Sequence, residues 1–403
     1  MTKEEMVKRW GENYDPANAI VEQDKYLFGM CYIAPSRDVN APNNYVDTYQ
    51  LLANMGVKSL RHWMHFRDLL KDPNTLREDR VAYQHELLAE AKKYGFQIIG
   101  MNHTNYIDGG FVGPKHKYQP WEGSDYYAWL EDYEQCWYTL VKEFPEVTYW
   151  EIENEVNNPG FMEIYGNVGG YKDPEVMLAQ TLDMMFYASR GIHRANPNAI
   201  TVMSSLTEPA GIGNAMSKTY EGVGKVVYPT NAEFLEMMYQ AILSGEHGSR
   251  FPDDFFQVAS WHPYYWKSTA ADQYWINENN ELYNIILKYE GKDKKVFLTE
   301  MGWGVKVRSE EEVAKRIGEL YATVAEHLPY VESVHYFRLF EDYGESNSMY
   351  GLFTDPRMDE PYAGFDEILR APGEPRLTAY AYQKAAGASG SLTFIMEKLQ
   401  KNK

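Results

Sequence analysis

Thr148-Tyr149-Trp150-Glu151-Ile152-Glu153-Asn154-Glu155 is an apolar and aromatic run that ends in an amide and a carboxylate. Short runs rich in apolar and β-branched residues recur along the chain, and together with this one they cover residues 26–30, 57–63, 96–102, 147–153, 199–204, 255–261, 295–299 and 333–338. Near-continuous runs of this length are typical of parallel strands buried on both faces. The sequence therefore predicts eight parallel strands.

Amphipathic segments with a helical period lie between these runs, at residues 45–55, 79–93, 126–144, 174–195, 231–244, 277–289, 310–327 and 378–386. Eight strands alternating with eight helices, without a break in composition, predict one α/β domain, a (β/α)8 TIM barrel with long strand-to-helix loops. We expect the barrel over residues 26–388, a lead-in segment over 1–25 and a C-terminal tail over 389–403. A doubly wound open sheet is the main alternative fold.

The chain of 403 residues is acidic, since 39 Lys and Arg against 58 Asp and Glu give a formal net charge of −19. This balance argues against a nucleic acid or an anionic membrane as the partner, because binding to either requires a basic patch. The N-terminal residues lack the apolar stretch of a signal peptide, and no apolar run is long enough to predict a membrane span. We therefore expect a cytoplasmic protein, although a trimmed signal peptide would leave the same appearance.

Two of the predicted strands end in a glutamate. Glu155 follows the fourth run, and Glu300 ends the seventh, Lys295-Val296-Phe297-Leu298-Thr299-Glu300. Active sites of α/β barrels lie at the carboxyl ends of the strands. The fourth and seventh strands face each other across the barrel mouth, so both carboxylates can point at one small volume. Hydrolysis of a glycosidic bond needs such a pair, whereas a single glutamate at a strand end is usually a surface or salt-bridged residue.

Two further glutamates leave an alternative open at the fourth strand. Glu151 and Glu153 share a strand face with Glu155 by their spacing, so the acid could in principle be any of the three. Only Glu155 follows an asparagine and begins the loop, which favours it. Glu151 or Glu153 could instead point into the barrel and pair with Arg61 or Lys58.

The segment Trp150-Glu151-Ile152-Glu153-Asn154-Glu155 resembles the strand-four signature of glycoside hydrolase clan A, and Thr299-Glu300-Met301-Gly302-Trp303 is similar to its strand-seven motif. The resemblance extends over residues 26–383, and the nearest likeness is to family 39-like and family 5-like members. It implies a retaining β-glycosidase that needs no cofactor and acts on a β-linked oligosaccharide. Glu155 would be the acid/base and Glu300 the nucleophile.

The resemblance also assigns roles to residues at other strand ends. Arg61 occupies the position of the clan's strand-two arginine, which supports the nucleophile, and Asn154 would bond the 2-hydroxyl of the sugar. His262 and Tyr264 match a His-x-Tyr pattern that follows strand six in family 5-like members. The histidine there contacts the substrate or the acid/base, and the tyrosine hydroxyl bonds the nucleophile.

Further substrate contacts are expected from aromatic residues and one histidine. The clan commonly places a tryptophan at strand eight, but this chain has none there, and Tyr336 is the most plausible replacement, with Phe337 second. Trp303 is also expected beside the substrate. His103 could bond a substrate hydroxyl or be a satisfied structural histidine.

Other chemistries remain as alternatives. His62, His65 and His103 do not have the spacing of the His-Glu-x-x-His motif and no cysteine cluster accompanies them, so no metal site is predicted. A transglycosylase or a phosphorylase would use the same glycosyl-enzyme, and a barrel that only binds carbohydrate would need neither glutamate. The identity of the sugar and the oligomeric state cannot be read from these motifs.

Overall fold

The computed structural model describes residues 26–31, 35–38, 40–41, 43–103, 126–161, 173–208, 215–264, 272–341, 349–355 and 373–401. The expected lead-in segment, residues 1–25, lies outside these described residues.

Eight parallel strands form the sheet at the centre of the molecule, as the sequence predicts. They are β1 Phe28–Cys31, β2 Ser59–Trp63, β3 Gln97–Asn102, β4 Tyr149–Ile152, β5 Ile200–Val202, β6 Ala259–His262, β7 Val296–Met301 and β8 Val331–Tyr336. Neighbouring strands pair in the order β5-β4-β3-β2-β1-β8-β7-β6.

The two ends of this order also meet. A parallel bridge joins Val202 of β5 to Val258, which precedes β6, and the short strand Leu206–Thr207 that continues β5 pairs with β6 at Trp261. The curled sheet therefore closes on itself, and the TIM-barrel prediction is confirmed.

Each barrel strand is followed by a helix that packs on the outside. The helices are α1 Tyr45–Asn54, α2 Glu78–Lys93, α3 Tyr126–Glu143, α4 Pro174–Ala195, α5 Asn231–Ser244, α6 Gln273–Glu290, α7 Glu310–His327 and α8 Leu377–Ala385, with α9 Phe394–Lys401 in the tail. Helix α6 begins earlier than its apolar period predicts, because the side chain of Asp272 accepts a hydrogen bond from the Tyr274 N–H and caps the first turn. In the described part of the chain, no helix combines the length and the apolar character needed to cross a membrane.

Two apolar layers hold the barrel together. The larger lies between strands and helices and contains buried tryptophans such as Trp137, Trp150 and Trp275. The smaller fills the amino-terminal half of the barrel interior and consists of Ile99, Tyr149, Ile200, Val202, Val258 and Phe297. Above this inner layer, Arg61, Glu151 and Thr299 are hydrogen-bonded to one another inside the barrel, so a charged layer lies over an apolar one.

Removal of the Phe297 ring from this inner layer should destabilise the whole fold. Phe297 is 1% exposed and its ring centroid lies 5.0 Å from that of Tyr149. We expect Phe297→Ala to lower the free energy of unfolding by about 3–5 kcal/mol, because it removes buried contacts and leaves a cavity. Equilibrium urea unfolding measures this, with Leu377→Ala as the control, since Leu377 is 48% exposed and should change stability by about 0.5 kcal/mol or less.

Candidate active site

Glu155 is positioned by an irregular turn at the end of β4. Glu153 and Glu155 have φ values of 66° and 48°, in the left-handed region that costs a non-glycine residue about 1–3 kcal/mol. Hydrogen bonds to the segment after β5 hold this turn: the Glu155 N–H donates to Ser205 Oγ over 3.3 Å and the Val156 N–H donates to the Ser205 carbonyl over 3.3 Å. The backbone turn directs the Glu155 side chain over the barrel axis.

Glu155 and Glu300 meet at the centre of the barrel mouth. A carboxylate oxygen of each lies within 4.8 Å of the other and of a His262 ring nitrogen. Retaining glycosidases hold their two carboxyl groups about 5–5.5 Å apart, and inverting ones about 6.5–9.5 Å, to leave room for water. The distance between the Glu155 and Glu300 oxygens is therefore nearer to the shorter of these two separations.

Glu300 is held by two donors. Arg61 Nη1 donates to one carboxylate oxygen, and the Tyr264 hydroxyl donates to the other over 2.9 Å. Burial by itself would raise the pKa of the Glu300 carboxyl, but the charges of His262 and Arg61, together with these hydrogen bonds, bring that pKa below its ordinary value. Burial raises the pKa of Tyr264 well above its usual range, so its phenol stays a donor. Glu300 is therefore an ionised carboxylate at neutral pH.

The contacts of Glu151 and Glu153 show how these two glutamates differ from Glu155. Glu151 points into the barrel and binds Arg61 through two hydrogen bonds, from Nε over 2.5 Å and from Nη2 over 3.0 Å. Glu153 accepts a hydrogen bond from the Tyr133 hydroxyl of α3 over 2.7 Å, on the other side of the strand. Of the three glutamates, Glu155 is the one that faces Glu300.

Arg61 organises the layer below the two carboxylates. Besides Glu151 and Glu300, its Nη2 donates to Asn154 Oδ1 over 2.7 Å. Burial opposes the charge on Arg61, but Glu151 and Glu300 together raise its pKa above the ordinary value, so the guanidinium is fixed as a cation. Because Arg61 donates to the amide oxygen of Asn154, it is the amide nitrogen of Asn154 that can donate to a substrate.

The surroundings of Glu155 differ from those of Glu300. His262 Nδ1 lies 2.8 Å from Glu155 Oε1, and Asn158 Nδ2 lies 3.5 Å from Oε2. Arg61 bonds Glu300 but not Glu155. Environments that differ in this way suit two carboxylates with separate roles.

His103 lies beside the site and is enclosed. Its backbone N–H donates to His65 Nδ1 over 3.2 Å, and its ring centroid is 5.7 Å from that of Phe161. Burial, with a smaller effect from the charge of Arg61, lowers the pKa of His103 to about 4, so the ring is neutral at pH 7.

Two predicted substrate contacts lie behind the strands rather than at the mouth. Trp303 is 1% exposed and packs with the guanidinium of Arg316 of α7, 5.7 Å from its ring centroid. Tyr336 is fully buried with its ring 6.3 Å from that of Tyr382 of α8. Tyr336 ends β8 and alternates with the inward-facing His335, so its ring is turned towards α8, whereas Trp303 lies beyond the end of β7.

Phe337 is the second aromatic residue that the sequence offers as a substrate contact at β8. Its ring is half-buried and makes an edge contact with Tyr350 at 5.5 Å, and Tyr350 in turn lies 6.2 Å from the Tyr264 ring that bonds Glu300. Phe337 is thus separated from Tyr264 by the Tyr350 ring, and its contact with a substrate stays a prediction.

Four residues that the structure brings to the site had no predicted role: Ser205, Ser260, Thr299 and Asn158. The sequence offers a signal for Thr299, because this residue directly precedes Glu300 and carries a hydroxyl after the apolar run Val296-Phe297-Leu298. Ser205 lies beyond a strand end and has no distinguishing neighbour in the sequence.

Among the residues that the structure describes, one group of acidic, His and Cys side chains is compact enough to surround a cation, and it is Glu155, His262 and Glu300. Arg61 already neutralises Glu300, and Tyr264 occupies its second oxygen. These contacts fit proton transfer and nucleophilic attack.

No family model and no curated protein matches the sequence. Solved structures match the fold: a family 39 glycoside hydrolase from the gut symbiont Bacteroides cellulosilyticus WH2 has a TM-score of 0.57 at 17% identity, covering 91% of this chain and 64% of that one. A rice β-glucosidase has a TM-score of 0.57 at 14% identity, covering 91% and 98%. A family 5 glycoside hydrolase from Streptomyces cattleya, solved with GlcNAc, has a TM-score of 0.56 at 14% identity, covering 90% and 80%.

At these identities the likeness concerns the fold. The chain spans about two thirds of the length of the family 39 structure and nearly all of the rice enzyme. The resemblance that the sequence motifs predict is confirmed at this level: the chain has the TIM-barrel fold that glycoside hydrolases of families 39, 5 and 1 share.

Proposed function

We propose that this protein is a retaining β-glycosidase, with Glu300 as the nucleophile and Glu155 as the acid/base. The observation that carries the proposal is the close approach of these two carboxylates, with oxygens within 4.8 Å, at the carboxyl ends of β7 and β4. Arg61 and Tyr264 hold Glu300 as an ionised carboxylate, whereas the imidazole of His262 makes the hydrogen bond to Glu155, so the two carboxylates have the different surroundings that double displacement requires.

In the first step, a Glu300 oxygen attacks the anomeric carbon while the proton of Glu155 passes to the leaving oxygen, and a glycosyl-enzyme ester forms. In the second step, water gives a proton to Glu155 and its oxygen displaces Glu300 from the sugar. Asn154 would donate its amide hydrogen to the 2-hydroxyl, because Arg61 holds its oxygen. Tyr264 and Arg61 keep Glu300 in line for attack.

The test is hydrolysis of a panel of aryl β-glycosides and β-linked oligosaccharides, followed by proton NMR of the sugar as it is released. We expect the first product to be the β-anomer, since two displacements at one carbon restore its configuration. An α-anomer as the first product would overturn the retaining mechanism, and no release from any substrate would contradict the glycosidase proposal.

The hydrogen bond from Tyr264 gives a prediction for the acid side of the pH profile. Below the pKa of Glu300 the nucleophile is protonated, so kcat/KM falls as pH decreases through that value. Tyr264→Phe removes a donor that stabilises the carboxylate, so this pKa should rise and the acid limb of kcat/KM should move up by about one pH unit.

The matched control is Tyr239→Phe, which removes a tyrosine–glutamate hydrogen bond of the same kind, to Glu290, between helices α5 and α6. Its acid limb should coincide with that of the wild type. An unmoved limb in Tyr264→Phe would show that the phenol does not set the proton affinity of the nucleophile.

A further inference from the structure

A continuous chain of buried hydrogen bonds runs beneath the two carboxylates and connects Arg61 to Glu155. Thr299 Oγ1 donates to Glu151 Oε1 over 2.9 Å, and Glu151 is the carboxylate that Arg61 binds. Thr299 Oγ1 also lies 3.0 Å from His262 Nε2, and the other nitrogen of that ring lies 2.8 Å from Glu155 Oε1. Thr299 is therefore hydrogen-bonded both to Glu151, which binds Arg61, and to His262, which contacts Glu155.

The direction of each proton in this chain follows from the donors available. Glu151, as the counter-ion of Arg61, can only accept, so the single hydroxyl proton of Thr299 is directed to it. Thr299 then presents lone pairs to its other two neighbours, Ser260 Oγ at 2.6 Å and His262 Nε2 at 3.0 Å. Ser260 donates to Thr299, and His262 must carry a hydrogen on Nε2.

A hydrogen on His262 Nε2 restricts the other side of the ring. The bond between His262 Nδ1 and Glu155 Oε1 then needs one proton of its own, placed on either atom. Without that proton, either the bare Nδ1 faces the Glu155 carboxylate, or the ring changes tautomer and a bare Nε2 faces the lone pairs of Thr299. Both arrangements put two acceptors in contact in a buried place, which is costly.

We propose that Thr299 is a positioning residue that fixes the Nε2–H form of His262 and thereby keeps one proton between His262 Nδ1 and Glu155 Oε1, ready for the leaving group. The inference rests on the proposed role of Glu155 as the acid/base. Thr299 transfers no proton itself. The shared proton passes from Glu155 to the leaving oxygen in the first step, and the nucleophilic water replaces it in the second.

The neighbouring strands place several charged and titratable groups around the Glu155–His262 pair. Burial, then the charge of Arg61, lowers the pKa of His335 to about 3, so this histidine of β8 contributes no charge at pH 7. Tyr264 stays a neutral phenol. The groups that face the Glu155–His262 pair are Glu151 on β4, Glu300 on β7, Arg61 on β2, Tyr264 after β6 and His335 on β8. One guanidinium stands among three carboxylates, so the net charge is negative before the shared proton is counted.

The first experiment compares the pH dependence of kcat/KM in wild type, Thr299→Val and Thr299→Ser. Valine has the shape of threonine but accepts no hydrogen bond, so His262 Nε2 loses its partner with or without a hydrogen, and the form with hydrogen on Nδ1, which donates to an ionised Glu155, is no longer disfavoured by two acceptors in contact. The alkaline limb should therefore move down by about one pH unit in Thr299→Val. It should return to the wild-type position in Thr299→Ser, which keeps the hydroxyl.

The second measurement is nitrogen-15 NMR of the His262 ring, assigned by the signals lost in His262→Asn. In the wild type, Nε2 should carry hydrogen throughout the neutral range, whereas in Thr299→Val it should become bare above the alkaline limb. Thermal unfolding of each variant verifies folding. A bare Nε2 in the folded wild type at pH 7, or equal alkaline limbs in the valine variant and wild type, would overturn the proposal.

The two arms separate this inference from the glycosidase proposal. If the wild type hydrolyses no glycoside, the proposed function fails, while the NMR spectrum still decides where the hydrogen of His262 lies. If hydrolysis is normal and Nε2 is bare, only the role of Thr299 fails.

Discussion

Glu300→Ala is expected to lower kcat/KM on an aryl β-glycoside by at least about 10⁴-fold, because the covalent route disappears with the carboxylate. Arg61 Nη1 and the Tyr264 hydroxyl would then lose the acceptor they share and would face a space the size of a small anion. The control is Glu332→Ala, a half-buried glutamate near the amino-terminal end of β8, which should keep wild-type activity.

Added azide should reveal which face of the sugar Glu300 serves. In Glu300→Ala, azide can enter the vacated space, where Arg61 attracts an anion, and attack the anomeric carbon from the side that the carboxylate used. A β-glycoside should then give the α-glycosyl azide, with one inversion. Activity of Glu300→Ala equal to that of Glu332→Ala would refute the assignment of the nucleophile.

The strands were predictable because a parallel strand covered by helices on one side and by the barrel interior on the other needs apolar residues along its whole length. The inner layer, with Ile99, Tyr149 and Phe297, is the physical reason for those runs. Helix ends were less predictable, since they depend on caps such as Asp272, whose side chain stabilises a turn that carries no apolar period.

The carboxylate pair was predictable because the carboxyl ends of the barrel strands lie together at the barrel mouth, and each glutamate is at or just beyond such an end. The division of roles among the glutamates of β4 was not, because strict alternation gives all three the same face. The left-handed backbone at Glu153 and Glu155 breaks the alternation and sends Glu153 to Tyr133. Likewise, the sequence alone does not show that the Tyr336 ring packs on Tyr382 of α8 or that Trp303, beyond the end of β7, packs on Arg316 of α7.

Glu155→Ala is the second variant with a large expected effect, and its size should depend on the leaving group. Proton donation contributes about 10²- to 10⁴-fold to the rate when the departing oxygen is a poor leaving group. We therefore expect a loss of that size for alkyl glycosides and oligosaccharides, and a much smaller loss of the first step for a dinitrophenyl glycoside, which departs without a proton. A plot of log kcat/KM against the pKa of the departing phenol should become steeper in the variant.

Azide again distinguishes the two glutamates. In Glu155→Ala the glycosyl-enzyme on Glu300 still forms from an activated substrate, and azide must then attack from the opposite face, where Glu155 stood beside His262. The product should be the β-glycosyl azide, opposite in configuration to that from Glu300→Ala. Full rate on a poor leaving group in Glu155→Ala would refute its role as the acid. Because Glu151 is committed to Arg61 and Glu153 to Tyr133, no other glutamate of β4 is placed to supply the proton in its absence.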